Sequence, residues 1–239
     1  MLTGAAGFIG SCLAHYLFRQ QKYTLVLVDD FSRTDKRSNY ETLPCERVER
    51  TQLQAYLQAV PRFDWVIHLG ARTDTTEMNY TVHEQLNLHA SKELWQYCTL
   101  HQIPFIYASS AATYGDGALG YQDDEHRLHE LHPLNPYGLS KHQFDLFAVQ
   151  QEVHPPFWCG LKFFNVYGPN EFHKGRMASV IFHAFRQINA NGSMRLFRSH
   201  RPDYKDGEQL RDFVYVKDVV EVLFFLYDHR EHSGLYNLG

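Results

Sequence analysis

Short apolar segments alternate with helix-length segments through the first two thirds of this chain. Four of the apolar segments are almost continuously hydrophobic, as expected for strands that are covered on both faces. They lie at residues 25–28, 65–69, 105–108 and 161–164. The helices predicted beside them span residues 9–19, 52–58, 82–101 and 140–151. Because such alternation is typical of parallel βαβ units, the pattern predicts an α/β fold with a Rossmann-like, doubly wound parallel sheet.

The pattern changes after about residue 165. A turn signal at residues 168–170 is followed by a predicted helix over residues 177–188, a short strand at 196–197 and a polar loop over 199–209. A last helix is predicted over residues 218–227. We therefore predict a nucleotide-binding domain over residues 1–165 and a partial, smaller substrate-binding lobe over residues 166–239, at the strand ends where open α/β sheets bind ligands.

The two chain ends are unusual for a sheet of this kind. The glycine-rich turn begins at residue 3, so the strand before it is reduced to Met1 and Leu2. The last four residues, 236–239, have the character of a strand entering a turn. We expect that both ends are truncated relative to a complete fold of this class.

Composition excludes several classes of protein. The net charge of -4 gives no sign of a nucleic-acid partner or of binding to a membrane surface, and no apolar segment is long enough to span a bilayer. The four cysteines are far apart, which indicates reduced thiols and a cytoplasmic location. His126, His129 and His132 lie in an acidic segment, so we predict a solvated loop there and no metal site.

Three glycines near the start, Gly4, Gly7 and Gly10, follow a G-x-x-G-x-x-G spacing before a predicted helix. Glycines at this spacing allow the pyrophosphate of a dinucleotide to approach a helix N-terminus. Asp29 ends the next predicted strand about 20 residues later, where a carboxylate accepts hydrogen bonds from an adenosine ribose. The alternative is a tight turn at a helix start that binds no ligand.

The identity of the nucleotide stays open from these residues alone. A carboxylate at Asp29 favours NAD, because it bonds to the free ribose hydroxyl. The basic side chains of Arg33, Lys36 and Arg37 follow closely and could instead contact the 2'-phosphate of NADP. The alternative for these three residues is a solvated basic loop.

Tyr137 and Lys141 are spaced by one helical turn, which places them on the same helix face. A tyrosine acts as a general base near neutral pH when a nearby ammonium stabilises its phenolate. Ser110 ends a predicted strand and could hydrogen-bond a substrate oxygen. A chance pair and a simple turn serine are the alternatives, but together with the glycine-rich turn these residues predict hydride chemistry on an alcohol or ketone.

The segments TGAAGFIG, SSAATYG, YGLSK, FFNVYGPN and RDFVYVKDV together resemble the extended short-chain dehydrogenase/reductase family of sugar-nucleotide epimerases and dehydratases. The resemblance covers essentially the whole chain, and HKGRMAS at residues 173–179 is its most discriminating segment. It implies an isomerase that transiently oxidises an ADP-activated heptose at C6 with bound NADP, with NAD as the other possibility. It also implies a homo-oligomer.

The resemblance implies four catalytic roles. Tyr137 would be one acid/base, while Lys141 would bind the nicotinamide ribose and lower the pKa of the tyrosine. Ser110 would orient the sugar oxygen. Lys174 would be a second acid/base on the opposite side of the substrate, which an inverting enzyme needs because the ketone must turn over against a fixed nicotinamide. The alternative for Lys174 is a surface lysine.

The resemblance also implies two sets of binding residues. The residues that would line the cofactor are Gly4, Gly7, Phe8, Ile9, Gly10, Asp29, Asp30, Lys36, Leu69, Gly70, Ala71, Arg72, Thr73, Asn87, Lys141 and Val166. The residues that would hold the ADP-sugar are Ser110, Asn165, Arg176, His183, Leu196, Phe197, Arg198, Ser199 and Arg211. Arginines suit the diphosphate because a guanidinium fork matches phosphate oxygens.

Three other functions remain open. One is a hexose 4-epimerase of the same family. Another is a 4,6-dehydratase, although no Asp-Glu pair follows Thr113, which argues against elimination. The third is an inactive, truncated remnant of the fold, motivated by the two chain ends.

Overall fold

A seven-stranded parallel sheet forms the centre of the computed structural model, which describes residues 1–59, 62–199, 202 and 205–239. Its strands have the spatial order β3-β2-β1-β4-β5-β6-β9. They are β1 (Leu2–Thr3), β2 (Val26–Asp29), β3 (Glu46–Glu49), β4 (Val66–His68), β5 (Phe105–Ser110), β6 (Trp158–Phe163) and β9 (Gly234–Leu238). The predicted Rossmann-like α/β fold is confirmed.

The strand order reverses at β1, which pairs with β2 on one side and β4 on the other. In open α/β sheets such a reversal opens a crevice at the carboxyl ends of the strands, where ligands bind. The turns that follow β1 and β4 therefore form the walls of the expected binding site.

Helices cover both faces of the sheet. They are α1 (Phe8–Arg19), α2 (Leu53–Ala59), α3 (Tyr80–His83), α4 (Ala90–Leu100), α5 (Pro136–Val149), α6 (Val180–Asn191) and α7 (Val216–Asp228). One face packs into a cluster that includes Leu13 and Val219 from α1 and α7, and the other face packs around Trp95 of α4. This two-sided cover explains why the central strands are hydrophobic on both faces.

A second, two-stranded parallel sheet lies in the C-terminal third. It pairs β7 (Asn165–Tyr167) with β8 (Phe213–Tyr215). A 3-10 helix over Phe172–Met177 and helix α6 lie between them in the chain. The last strand, β9, pairs with β6 of the large sheet. The division into a domain over residues 1–165 and a lobe over 166–239 stays a prediction.

Three details differ from the predicted elements. Strand β3 was not predicted, because its sequence ERVE is mostly polar; it is an edge strand, where charged side chains are common. The predicted helix over 82–101 contains a π-helical segment, Glu84–His89, between α3 and α4. The strand predicted at 196–197 is wrong: Leu196 and Phe197 are irregular and 62% and 65% exposed, and no strand among the described residues pairs with them.

Part of the predicted polar loop over 199–209 lies outside the described residues, at positions 200, 201, 203 and 204. Within the described ranges, no helix is both long and apolar enough to cross a membrane. The same ranges contain no group of three or more potential metal-ligating side chains.

Candidate active site

The glycine-rich turn joins β1 to α1 and leaves the start of the helix open. Gly7 is the N-cap of α1, no side chain caps the helix there, and its first turn contains no acidic residue. A helix N-terminus has free N–H groups and a partial positive charge. The turn therefore fits a pyrophosphate, as the spacing predicts.

Glycine is required in this turn for close packing. Gly4 has a φ of +71°, and a Cβ on it would lie 2.6 Å from the backbone nitrogen of Gly70. A Cβ on Gly10 would lie 2.1 Å from the carbonyl oxygen of Gly4. The close approach of Gly4 to Gly70 brings the turn after β1 against the turn after β4, so two predicted cofactor segments meet at the switch point.

Asp29, at the end of β2, is already engaged by the protein. Its Oδ2 accepts a hydrogen bond from the backbone N–H of Ala6 at 2.9 Å, which ties it to the glycine-rich turn. Its Oδ1 accepts from Lys36 Nζ at 2.8 Å in a largely buried ion pair. The neighbouring Asp30 accepts from Ser32, and this bond holds the pKa of Asp30 below its usual value. The negative charge of Asp29 is therefore balanced before any nucleotide binds.

A buried hydrogen-bond chain connects the ends of β1 and β4 to the π-helical segment. Ser91 donates its hydroxyl hydrogen to Asn87 O, so it must accept from His68 Nε2 at 3.0 Å. His68 Nδ1 is then the acceptor for Thr3 Oγ1 at 2.6 Å. Burial, and secondarily Lys141, lowers the pKa of His68 to about 3, so its ring is neutral. The hydrogen-bond network thus assigns the Nε2–H tautomer.

Asn87 lies in the π-helical segment and is 1% exposed. Its side-chain oxygen accepts from Arg72 N at 2.7 Å, and its nitrogen donates to Arg72 O at 3.0 Å and Ser140 Oγ at 2.9 Å. The side chain therefore fixes the backbone after β4 against α5. A single π-helical turn at such a position is common in functional sites.

Tyr137, Lys141 and Ser110 meet where β5 ends beside α5. Asn135 caps α5 by accepting from Gly138 N at 2.8 Å, and Pro136 stands in the first turn. The buried Lys141 donates from Nζ to Ala108 O at 2.7 Å. Burial raises the pKa of Tyr137, while a side-chain hydrogen bond with Ser110 opposes that rise. The predicted lowering of this pKa by Lys141 stays a prediction.

Burial has the opposite effect on the lysine. Removing the ammonium from water lowers the pKa of Lys141 to about 8, and the carboxylate of Asp145 acts against this shift. Lys141 can therefore exchange its proton close to neutral pH.

Lys174 lies on the segment between β7 and α6. Its Nζ is 5.6 Å from the centre of the Phe8 ring, so the candidate second acid/base contacts the first residue of α1. Burial lowers the pKa of Lys174, and the carboxylate of Glu171 acts against the shift. Asn170 of the same segment donates to Ser11 Oγ at 3.0 Å. The segment is therefore docked on the helix that begins at the glycine-rich turn.

Three buried charged residues were not predicted from the sequence. Glu171 is 3% exposed and accepts from Gly168 N and from Ser179 N and Oγ, which closes the segment that carries Lys174. Asp145 and Lys162 form a fully buried ion pair at 3.0 Å beneath Ser110. No local motif marks these residues, because their partners are set by the tertiary fold.

The remaining predicted substrate residues are mostly exposed. Asn165 donates to Asp212 O at 2.9 Å, and Arg176 contacts Thr76 and lies 3.7 Å from Asp74. The other residues lie on α6 or on the irregular segment after it. They are His183, which is half-buried, and Leu196, Phe197, Arg198, Ser199 and Arg211. Ser199 N donates to Asp206 at 2.7 Å, and Arg211 donates to Leu210 O at 2.7 Å.

The predicted cofactor residues that remain follow the walls of the crevice. Phe8 is buried, Ile9 and Leu69 pack against the core, and Val166 pairs with Val214 in the small sheet. Ala71 is half-buried and Thr73 is exposed on the segment after β4. The structure therefore brings the glycine-rich turn, the turn after β4 and the Lys174 segment together.

Residues 1–239 match the family model described as the NAD dependent epimerase/dehydratase family. An ADP-L-glycero-D-manno-heptose-6-epimerase of Fusobacterium nucleatum is 44% identical, over 100% of this chain and 74% of that protein. The crystal structure of a Helicobacter pylori ADP-L-glycero-D-manno-heptose-6-epimerase superposes with a TM-score of 0.85 at 31% identity, over 100% of this chain and 75% of that one.

A UDP-N-acetylglucosamine 4-epimerase from Methanobrevibacter ruminantium superposes with a TM-score of 0.83 at 26% identity, again over 100% of this chain and 75% of that one. The chain thus spans about three quarters of the length of the relatives it matches.

Proposed function

We propose that this chain, which belongs to the NAD dependent epimerase/dehydratase family, epimerises C6 of the heptose in ADP-D-glycero-D-manno-heptose to the L-glycero form. The observation that carries the proposal is Lys174, a second candidate acid/base in contact with Phe8 at the start of α1. The names of relatives that share 39% to 44% of the sequence support this substrate.

Inversion of a carbon through a ketone places two demands on the protein. The hydroxyl proton must go to a base when hydride leaves, and a proton must return to the oxygen after hydride comes back on the other face. Because the ketone turns over between the two steps, one acid/base is needed for each orientation. Tyr137 would serve one orientation and Lys174 the other.

Burial shifts the pKa values of the two groups in opposite directions, and the shift of Lys174 is the one toward neutral pH. Burial lowers the pKa of Lys174, which brings its proton exchange closer to neutral pH. The hydrogen bond between Ser110 and Tyr137 lowers the pKa of the phenol against the effect of burial. Ser110 would also orient the sugar oxygen, and Asn165, Arg176 and Arg211 would contact the ADP part of the substrate.

The family membership implies a nicotinamide cofactor, and the open start of α1 fits its pyrophosphate. When bound, the cofactor would supply the hydride acceptor and the hydride donor. We infer that it is NADP, with NAD as the alternative, because the ammonium of Lys36 neutralises the carboxylate of Asp29 and so removes its repulsion of a 2'-phosphate. Lys141 would hold the nicotinamide ribose.

Replacement of Lys174 by Met tests the two-base role. The variant keeps the stem of the side chain and removes the ammonium, so it should bind cofactor normally and lose epimerisation. Tyr137→Phe should also lose epimerisation. Turnover by Lys174→Met that equals the wild type, measured by proton NMR of the ADP-heptose, would contradict the role of Lys174. The cytoplasmic location and the homo-oligomer stay predictions.

A further inference from the structure

Asp145 and Lys162 form an ion pair in which both side chains are completely buried. Burial of two charges costs solvation free energy, and replacing such a pair by apolar residues is often neutral or stabilising. The pair is therefore poorly explained by stability alone. Its position beneath the end of β5, next to the Tyr137 and Lys141 face of α5, suggests a role in the site.

The direction of each hydrogen bond in this cluster is fixed by chemistry. Lys162 can only donate, and it does so to Asp145 Oδ2 at 3.0 Å and to Thr113 Oγ1 at 2.8 Å. Thr113 must therefore accept from the lysine, so its own hydroxyl hydrogen is directed to Ser110 O at 2.9 Å. A buried cation thus orients the hydroxyl that holds the backbone of Ser110.

The carboxylate of Asp145 accepts hydrogen bonds from two residues that precede Ser110 in β5. It accepts from Ser109 Oγ at 2.7 Å and from Tyr107 OH at 3.0 Å. A Cβ on Gly160 of β6 would lie 2.4 Å from the Tyr107 ring, so the glycine makes room for this contact.

Three successive residues at the end of β5 are consequently held from outside the strand. Lys141 binds Ala108 O, Asp145 binds the hydroxyl of Ser109, and Thr113 binds Ser110 O. With its backbone fixed, Ser110 presents its hydroxyl to Ala112 N at 3.1 Å and to Tyr137. Sub-ångström placement of such a group matters, because small displacements at a reacting centre reduce rates strongly.

We propose that Asp145, Lys162 and Thr113 form a positioning unit that holds Ser110 against Tyr137 for the proton transfer. This inference rests on the proposed function of Ser110 and Tyr137. None of the three residues needs to touch substrate or cofactor.

Two isosteric variants separate positioning from stability. Thr113→Val removes the hydroxyl that holds Ser110 O, and the conservative Thr113→Ser keeps it. Tyr107→Phe is the matched control: it removes one hydroxyl from the same carboxylate but leaves Ser109, Thr113 and Ser110 connected. Each variant is measured for kcat, KM and thermal unfolding with ADP-D-glycero-D-manno-heptose.

Thr113→Val should lower kcat by about tenfold or more with little change in KM, and Thr113→Ser should restore it. Tyr107→Phe should keep kcat within about twofold of the wild-type value, even if its midpoint of thermal unfolding falls as far as that of Thr113→Val. Equal kcat values for Thr113→Val and Tyr107→Phe would overturn the proposal. A decrease of kcat in Thr113→Ser as large as that in Thr113→Val would also overturn the proposal.

Amide hydrogen exchange over residues 110–115 supplies a readout that needs no activity. Thr113→Val should speed exchange there, whereas Tyr107→Phe should not. A wild-type chain that fails to convert the substrate would defeat the proposed function, but the exchange difference would still test the positioning unit. Identical exchange in the two variants would overturn it.

Discussion

Single residues in this site have acid/base properties that are set by burial. The pKa of Lys141 falls to about 8 and that of Lys174 also falls, because each ammonium loses water. The phenol of Tyr137 is shifted upward for the same reason. Burial thus favours the neutral form of each group, which lowers the proton affinity of the two lysines and raises that of the tyrosine.

The lowered pKa of Lys141 predicts a specific pH dependence of stability. Between a folded pKa of about 8 and an unfolded pKa of about 10.5, the unfolded chain binds more protons, so stability rises with pH. Lys141→Met removes this titration. The variant should gain stability relative to the wild type at pH 7 and lose about 3 kcal/mol of that advantage by pH 10.5.

Thermal unfolding of the wild type and Lys141→Met across this pH range checks the prediction. Other titrating groups are the same in both proteins, so their contributions cancel in the difference between the two free energies of unfolding. A difference that does not change between pH 7 and pH 10.5 would mean that Lys141 has an ordinary pKa in the folded chain.

The choice between NADP and NAD depends on Lys36. A charge-assisted bond to phosphate contributes about 1.5–3 kcal/mol, so Lys36→Met should weaken NADP binding by roughly ten- to a hundredfold and NAD binding less. Arg37→Met is the control, because Arg37 is highly exposed and paired with Glu41. Titration calorimetry with both nucleotides measures the effect. Equal losses for NADP and NAD would indicate that Lys36 acts only through Asp29.

At the scale of elements, the ends of β1 and β4 and the π-helical segment are joined by neutral His68. The chain of bonds from Thr3 through His68 to Ser91 and Asn87 uses both ring nitrogens in one tautomer. Protonation would place a second donor against the Thr3 hydroxyl, in a site where Lys141 already contributes positive charge. The connection between these elements should therefore fail in acid.

The titration of His68 changes the stability of the chain in one direction. With a folded pKa of about 3 and an unfolded pKa near 6.5, the unfolded state binds more protons between these values, so stability falls as pH falls. His68→Gln can accept from Thr3 and donate to Ser91 without titrating. Relative to this variant, the wild type should lose about 2 kcal/mol between pH 7 and pH 5.

Urea unfolding at the two pH values measures this difference. Parallel stability curves for the wild type and His68→Gln would show that the imidazole is not held neutral.

Some of these elements can be predicted from the sequence and others cannot. The glycine-rich turn, Tyr137 and Lys141 are local patterns, and the structure has the turn at the start of α1 and the other two residues on α5, while their roles stay predictions. Strand β3 was missed because an edge strand needs no apolar face, and the strand predicted at 196–197 is wrong because two apolar residues do not make a strand without a partner. The Asp145–Lys162 pair was missed because its members are 17 positions apart and lie on different elements, helix α5 and strand β6.

At the scale of the whole molecule, the reversal of strand order at β1 brings the segments of the site together. The turn after β1, the turn after β4 and the Lys174 segment reach the same crevice from residues far apart in the chain. The fold class and the predicted family are confirmed, since the family model matches residues 1–239 and relatives at 44% identity align over the whole chain. The roles of the individual site residues stay proposals.

The central claim is that the chain inverts C6 of an ADP-activated heptose. Proton NMR of the purified chain with ADP-D-glycero-D-manno-heptose, with and without added NADP, tests it directly. The account predicts signals of the L-glycero epimer that grow to a constant ratio and are lost in Lys174→Met. Substrate that remains unchanged while the chain binds NADP, or conversion of a UDP-hexose in its place, would contradict the account.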